Sequence, residues 1–141
     1  MVYIASSHNL SKEVTKKLKF LLMDIDEDVF FPESIGLIAN SNEEMNYVSN
    51  TCSDKIRSSN ILVAIYPFGI SVSIEIGRFL EQQFTSTDKK LIILNNSNQT
   101  DNMLKKLRSE AMMMPHIYKI VNSPEELVLE LKKLSNCTYK S

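Results

Sequence analysis

A single carboxylate, Glu75, sits between two isoleucines in the stretch GISVSIEIGRF (Gly69 to Phe79), directly after the apolar run NILVAIYP. The run reads as a buried strand and the stretch after it as a helix, so Glu75 is expected in the first helical turn, where a strand hands over to a helix. Ser71 or Ser73 would cap that helix. The partial positive charge of a helix N-terminus favours an ionised carboxylate. Such a group could attack an electrophilic carbon or stabilise developing positive charge. Acidic residues also occupy first turns for helix stability alone.

Other polar groups fall where they could serve the same site. Ser6, Ser7, His8 and Asn9 follow the first apolar run, while Gly69, Ser71 and Ser73 surround the start of the Glu75 helix. Hydroxyls and free helix-start amides can bind a phosphate, although two serines before a helix are also ordinary capping chemistry. Cys52 and Cys137 have neither CxxC spacing nor a histidine cluster, which excludes a zinc motif and suits reduced thiols. The three glycines, Gly36, Gly69 and Gly77, are too few and too scattered for a Walker loop or a GxGxxG fingerprint. No metal and no cofactor is expected.

The elements that must position these groups alternate along the chain. VYIA reads as a strand, then SKEVTKKLKFLLMD as a helix capped by Ser11, with Val14, Leu18, Leu21 and Leu22 on one face. DVFFPES reads as a second strand stopped by Pro32. NEEMNYVSNTCSDKIRSS carries Met45, Val48, Cys52 and Ile56 on one helical stripe, which makes Cys52 a small apolar filler. Asp54, about 200° around that helix from Cys52, should face away from it. After NILVAIYP and the helix SVSIEIGRFLEQQF come the strand KKLIILNN, the helix DNMLKKLRSEAMM and the strand IYKIV. The last helix, SPEELVLELKKL, has Ser123 as cap and Pro124 at its first position.

Five such βα units predict an α/β fold, a three-layer αβα sandwich with a five-stranded parallel sheet in the flavodoxin-like order 2-1-3-4-5. Ligands of such sheets bind beyond the carboxyl ends of the strands where the order reverses, here between strands one and three. The 141 residues fit one domain spanning 1–141. A net charge of −1 gives no field for nucleic acid or an acidic membrane. No run nears the roughly 20 apolar residues of a membrane span, so a soluble, cytoplasmic protein is expected.

Taken together, VYIAS, CSDKIRSSNILVAI and GISVSIEIGRFLEQ resemble the nucleoside 2-deoxyribosyltransferase family, which includes 2'-deoxynucleoside 5'-monophosphate N-hydrolases. The resemblance runs in element order from about Val2 to Leu134. It implies cleavage or transfer at the N-glycosidic bond of a nucleoside or its 5'-monophosphate, a small-molecule substrate. Glu75 of IEIG matches the family nucleophile, and Tyr3 the tyrosine that contacts it. The family's helix aspartate aligns with Cys52, its aspartate before the third strand with Asn60, and the glycines of its loop with Ser71 and Ser73. The segment NMLKKLRSEAMMMP falls where relatives complete a neighbour's site, which implies a homodimer. A non-catalytic nucleotide-binding module of the same fold, or a TIR-like NAD glycohydrolase, are the alternative readings.

Overall fold

In the computed structural model, residues 1–7, 12–25, 28–35, 40–86, 88–96 and 114–139 are described. Five strands run parallel: β1 (Val2–Ala5), β2 (Val29–Phe30), β3 (Ile61–Tyr66), β4 (Lys90–Asn95) and β5 (Ile117–Val121). Their order is β2-β1-β3-β4-β5, the flavodoxin-like arrangement expected from the pattern of apolar runs. Four α-helices are present among the described residues: α1 (Lys12–Leu21), α2 (Asn42–Ser58), α3 (Ile70–Gln82) and α4 (Pro124–Tyr139).

Side chains alternate across a strand, so neighbouring residues serve opposite layers. Val2, Ile4, Ile61, Val63, Ile65, Ile92, Leu94 and Val121 join Val14 and Leu18 of α1 and Leu127 and Leu131 of α4 in one core. Tyr3, Ala5, Leu62, Ala64, Leu91 and Ile93 join Ile56 of α2 and Val72, Ile76 and Phe79 of α3 in the other. Tyr3 is thereby directed into the layer where α2 and α3 pack together.

Local chemistry accounts for most element ends. Ser41 caps α2, its side chain accepting from the Glu44 amide at 3.1 Å. Ser123 accepts from the Glu126 amide at 3.1 Å and Pro124 opens α4, as the sequence predicts. The second strand is shorter than DVFFPES: it ends at Phe30, and Pro32, with its fixed φ and no N–H to donate, leads into a 3-10 turn, Pro32–Ile35. The stripe expected to bury Met45 with Ile56 is also corrected. Met45 is 49% exposed and Ile56 is the only buried residue of α2, because α2 packs chiefly against α3.

Ser11, the helix expected over DNMLKKLRSEAMM, and with it Met112 and Met113, lie outside the described residues. No helix among the described residues is long and apolar enough to cross a membrane.

Candidate active site

At the switch point between β1 and β3, Ser7 after β1 and Gly69 after β3 approach each other. Gly69 precedes α3 in an extended conformation, and a Cβ built on it would stand 3.1 Å from the Ser7 Oγ, tighter than ordinary contact. A larger residue there would require the Ser7 side chain to shift by a few tenths of an ångström. Ser6 and Ser7 are half-buried beside it.

Gly69 is the N-cap of α3 and contributes no side-chain bond, so neither Ser71 nor Ser73 caps the helix. Both serines are exposed, and the Ser73 hydroxyl donates back to the Gly69 carbonyl at 3.1 Å. With α3 starting at Ile70, Glu75 lies in the second turn and not the first, past the reach of the helix dipole. Its position has a different physical basis. Val72, Ile76 and Phe79 anchor one face of α3 in the core, and Glu75, beside Ile76, is carried partly inward over Tyr3.

Tyr3 is fully buried, its ring tilted against Phe30 with centroids 5.4 Å apart, and its hydroxyl donates directly to Glu75 Oε2. Burial, the Glu75 charge and this hydrogen bond all push the phenol far above its ordinary range, so Tyr3 remains a donor at any working pH. Burial raises the Glu75 carboxyl to about 7, while the Tyr3 hydrogen bond and the Arg78 guanidinium pull it back down. The carboxylate expected to be firmly anionic is therefore poised near neutrality.

Cys52, half-buried on α2, is close enough to Tyr3, Glu75 and Arg78 for each to act on its thiol; burial is the largest influence and raises its pKa. Tyr3, Cys52 and Glu75 thus converge from β1, α2 and α3. Asp54 is turned outward and pairs with Arg57 at 3.1 Å, as its angular offset predicts. Asn60 is exposed; its amide donates to the Met1 carbonyl at 3.0 Å and its carbonyl accepts from the Lys90 amide at 2.8 Å, tying strand entrances together. His8 and Asn9 lie outside the described residues.

Sequence reasoning missed Arg78. It lies one helical turn after Glu75, and its guanidinium donates to the Ser53 hydroxyl on α2, beside Cys52. The i,i+3 spacing within EIGR was the available signal. Among the described residues no three His, Cys, Asp or Glu side chains group as metal ligands. The arrangement offers a half-sheltered carboxylate held by a phenol donor and flanked by a cation. Such a group can act as a nucleophile, or as a base near neutral pH.

No protein-family model matches the chain, and no curated protein matches it. Among solved structures it is similar to a 2-deoxyribosyltransferase from the psychrotolerant bacterium Bacillus psychrosaccharolyticus, with a TM-score of 0.69 and 16% identity over 90% of this chain and 89% of that one. It is also similar to a conserved protein from Enterococcus faecalis, with a TM-score of 0.63 and 18% identity over 94% and 96% of the two chains. At these identities the likeness shows a shared fold.

Proposed function

We propose that the chain cleaves or transfers at the N-glycosidic bond of a (deoxy)nucleoside or nucleoside 5'-monophosphate, with Glu75 as the nucleophile. The observation that carries this reading is the buried Tyr3 hydroxyl donating to Glu75 at the switch point of the sheet. The motif resemblance and the fold shared with a 2-deoxyribosyltransferase support it.

In this reading Tyr3 holds Oε2 and leaves Oε1 to reach the anomeric carbon. The glycosidic C–N bond breaks through an oxocarbenium-like transition state, its electron pair departing with the base, as the carboxylate–carbon bond forms. Water or a second base then attacks the same carbon. That carbon–oxygen bond breaks, and the carboxylate is regenerated. In this reading Ser6, Ser7 and the backbone at Gly69, which lie where β1 and β3 end, would contact the substrate, and Cys52 would contribute a neutral thiol where the resemblance places an aspartate. A homodimer, in which residues 102–115 would reach a neighbour's site, is part of the proposal and is checked by light scattering.

Purified protein incubated with deoxynucleosides and their 5'-monophosphates should release free base, and Glu75→Ala should reduce that release by at least a thousandfold. Absence of base from every substrate overturns the reading. The thiol at Cys52 favours a second reading, a nucleotide-binding module without turnover. Calorimetric binding with no product supports the module; sugar covalently trapped on Glu75 rejects it.

A further inference from the structure

An open cleft of about 460 Å³ lies on the rim of the sheet where β4 begins at Lys90 and β5 at Ile117. Its walls come from three places: Gln83 and Phe84 after α3, Lys89 and Lys90 entering β4, and His116 with Tyr118 at the start of β5. That volume falls within the roughly 300–1,000 Å³ of small-molecule sites. The proposed active site is on the other rim, at the carboxyl ends of β1 and β3. The six residues of β4 set the two rims roughly 17–20 Å apart.

The cleft joins bare aromatic surface to positive charge. Phe84 is 78% exposed and Tyr118 48%. The turn that carries Phe84 is held in place: the Gln83, Phe84 and Thr85 amides donate to the carbonyls of Leu80, Glu81 and Gln82 at 3.1, 3.4 and 3.2 Å, and the Gln83 side-chain amide donates to the Lys89 carbonyl at 3.2 Å. Exposure there costs apolar surface without adding to either core. The Lys90 ammonium stands 5.7 Å from the centre of the Tyr118 ring. Lys89 directs its own ammonium to the end of α2, at 2.7 Å from the carbonyls of Arg57 and Ser59, so Lys90 is the lysine left to a ligand. No carboxylate is among the described residues that line the cleft.

We infer that this cleft is a second ligand site, taking a small aromatic anion: a planar ring stacks on Phe84, and its phosphate or carboxylate group meets the Lys90 ammonium and the His116 imidazole. An aromatic face alone accepts any flat molecule, and a lysine alone accepts any anion. The two together select molecules that carry both features. Nucleoside monophosphates have this chemistry, and so do simple aryl phosphates. The inference does not depend on Glu75 acting as a nucleophile.

The test is an NMR titration of the full chain carrying Glu75→Gln, which prevents turnover, with 2'-deoxyadenosine 5'-monophosphate, phenyl phosphate, deoxyadenosine and inorganic phosphate as separate probes. The monophosphate should move the backbone amides of residues 83–90 and 116–118 saturably. Deoxyadenosine and inorganic phosphate, each meeting half of the site, should bind there at least about tenfold more weakly. Phe84→Ala and Lys90→Met, both changes on the rim and outside the two cores, should each weaken the monophosphate by about tenfold at these amides and leave its effect on Ser7 and Gly69 unchanged. Phenyl phosphate binding as tightly as the nucleotide supports the site and assigns it to aryl phosphates in general; weaker binding supports it and assigns it to nucleotides. The inference is overturned if no probe moves these amides at about 10 mM, if inorganic phosphate binds as tightly as the monophosphate, or if Phe84→Ala leaves the affinity unchanged.

Discussion

At the scale of single residues, Glu75 acts on stability and on chemistry in opposite directions. Its carboxyl titrates near 7 in the folded chain and near the ordinary value of 4.5 when unfolded. Between those values the folded state binds more protons than the unfolded state, so this group's contribution to stability falls as pH rises from about 4.5 to 7. The loss is complete above about 7 and amounts to on the order of 3 kcal/mol at most. The nucleophilic role proposed for Glu75, in contrast, needs the proton gone. Base release should therefore climb with pH and level off above about 7, while Glu75→Gln abolishes it and stabilises the fold at pH 8 but not at pH 4. Thermal melts at the two pH values, set beside a pH–rate profile, check both halves. The carboxylate itself was legible from IEIG after an apolar strand. Its charge state was not, because that depends on how deeply α3 is seated and on a phenol 72 positions away in sequence.

At the scale of elements, the positions of α2 and α3 matter more than their existence. Periodicity located both helices, but it misassigned the start of α3: two serines looked like caps, and the helix instead begins after Gly69, which lies close against Ser7. Cys52, placed among the apolar fillers, does pack against the core of Tyr3, Ile56 and Phe79; its nearness to Glu75 and Arg78 was not legible, since a helical stripe says which residues share a side but not whether that side meets a sheet or another helix. The lower end of α2 is held by a device that no pattern announces. The Lys89 ammonium, on the approach to β4, donates to the carbonyls of Arg57 and Ser59 at 2.7 Å each and to that of Ile56 at 3.4 Å. A cation there adds bonds to carbonyls at the helix end, where the Ile56 carbonyl has only the Ser59 amide, and complements the negative end of the dipole. Lys89→Met, which keeps the aliphatic stem, should lower unfolding free energy by about 1–2 kcal/mol in urea melts. No change in the urea midpoint would mean that water replaces the lysine without cost.

At the scale of the whole molecule, the fold was readable because each of its rules is local and repeated. NILVAIYP and KKLIILNN are continuous apolar runs, as strands covered on both sides must be, and the helix between them sets Val72, Ile76 and Phe79 on its buried face. Strand order followed from the alternation of β and α. The two cores that result divide labour between adjacent residues. Ile92 and Ile93 are both fully buried on β4, but Ile92 packs toward α1 and α4 and Ile93 toward α2 and α3. Alanine at either position should cost about 2–5 kcal/mol. Only Ile93→Ala should also lower kcat/KM for base release, because the cavity it leaves opens beneath the helices that carry Glu75 and Cys52. Equal loss of activity in both variants, measured well below their melting temperatures, would contradict that division.

β1 lies between β2 and β3, so Tyr3 is stitched into the sheet from both flanks. A phenol seated that way behaves as a fixed fence post, unable to step aside for a bulkier guest. In the proposed site, any widening must come from the fence opposite, the turns of α2 and α3 that carry Cys52 and Glu75. Diversity introduced there would retune selectivity, whereas diversity introduced on the strand would break the enclosure itself.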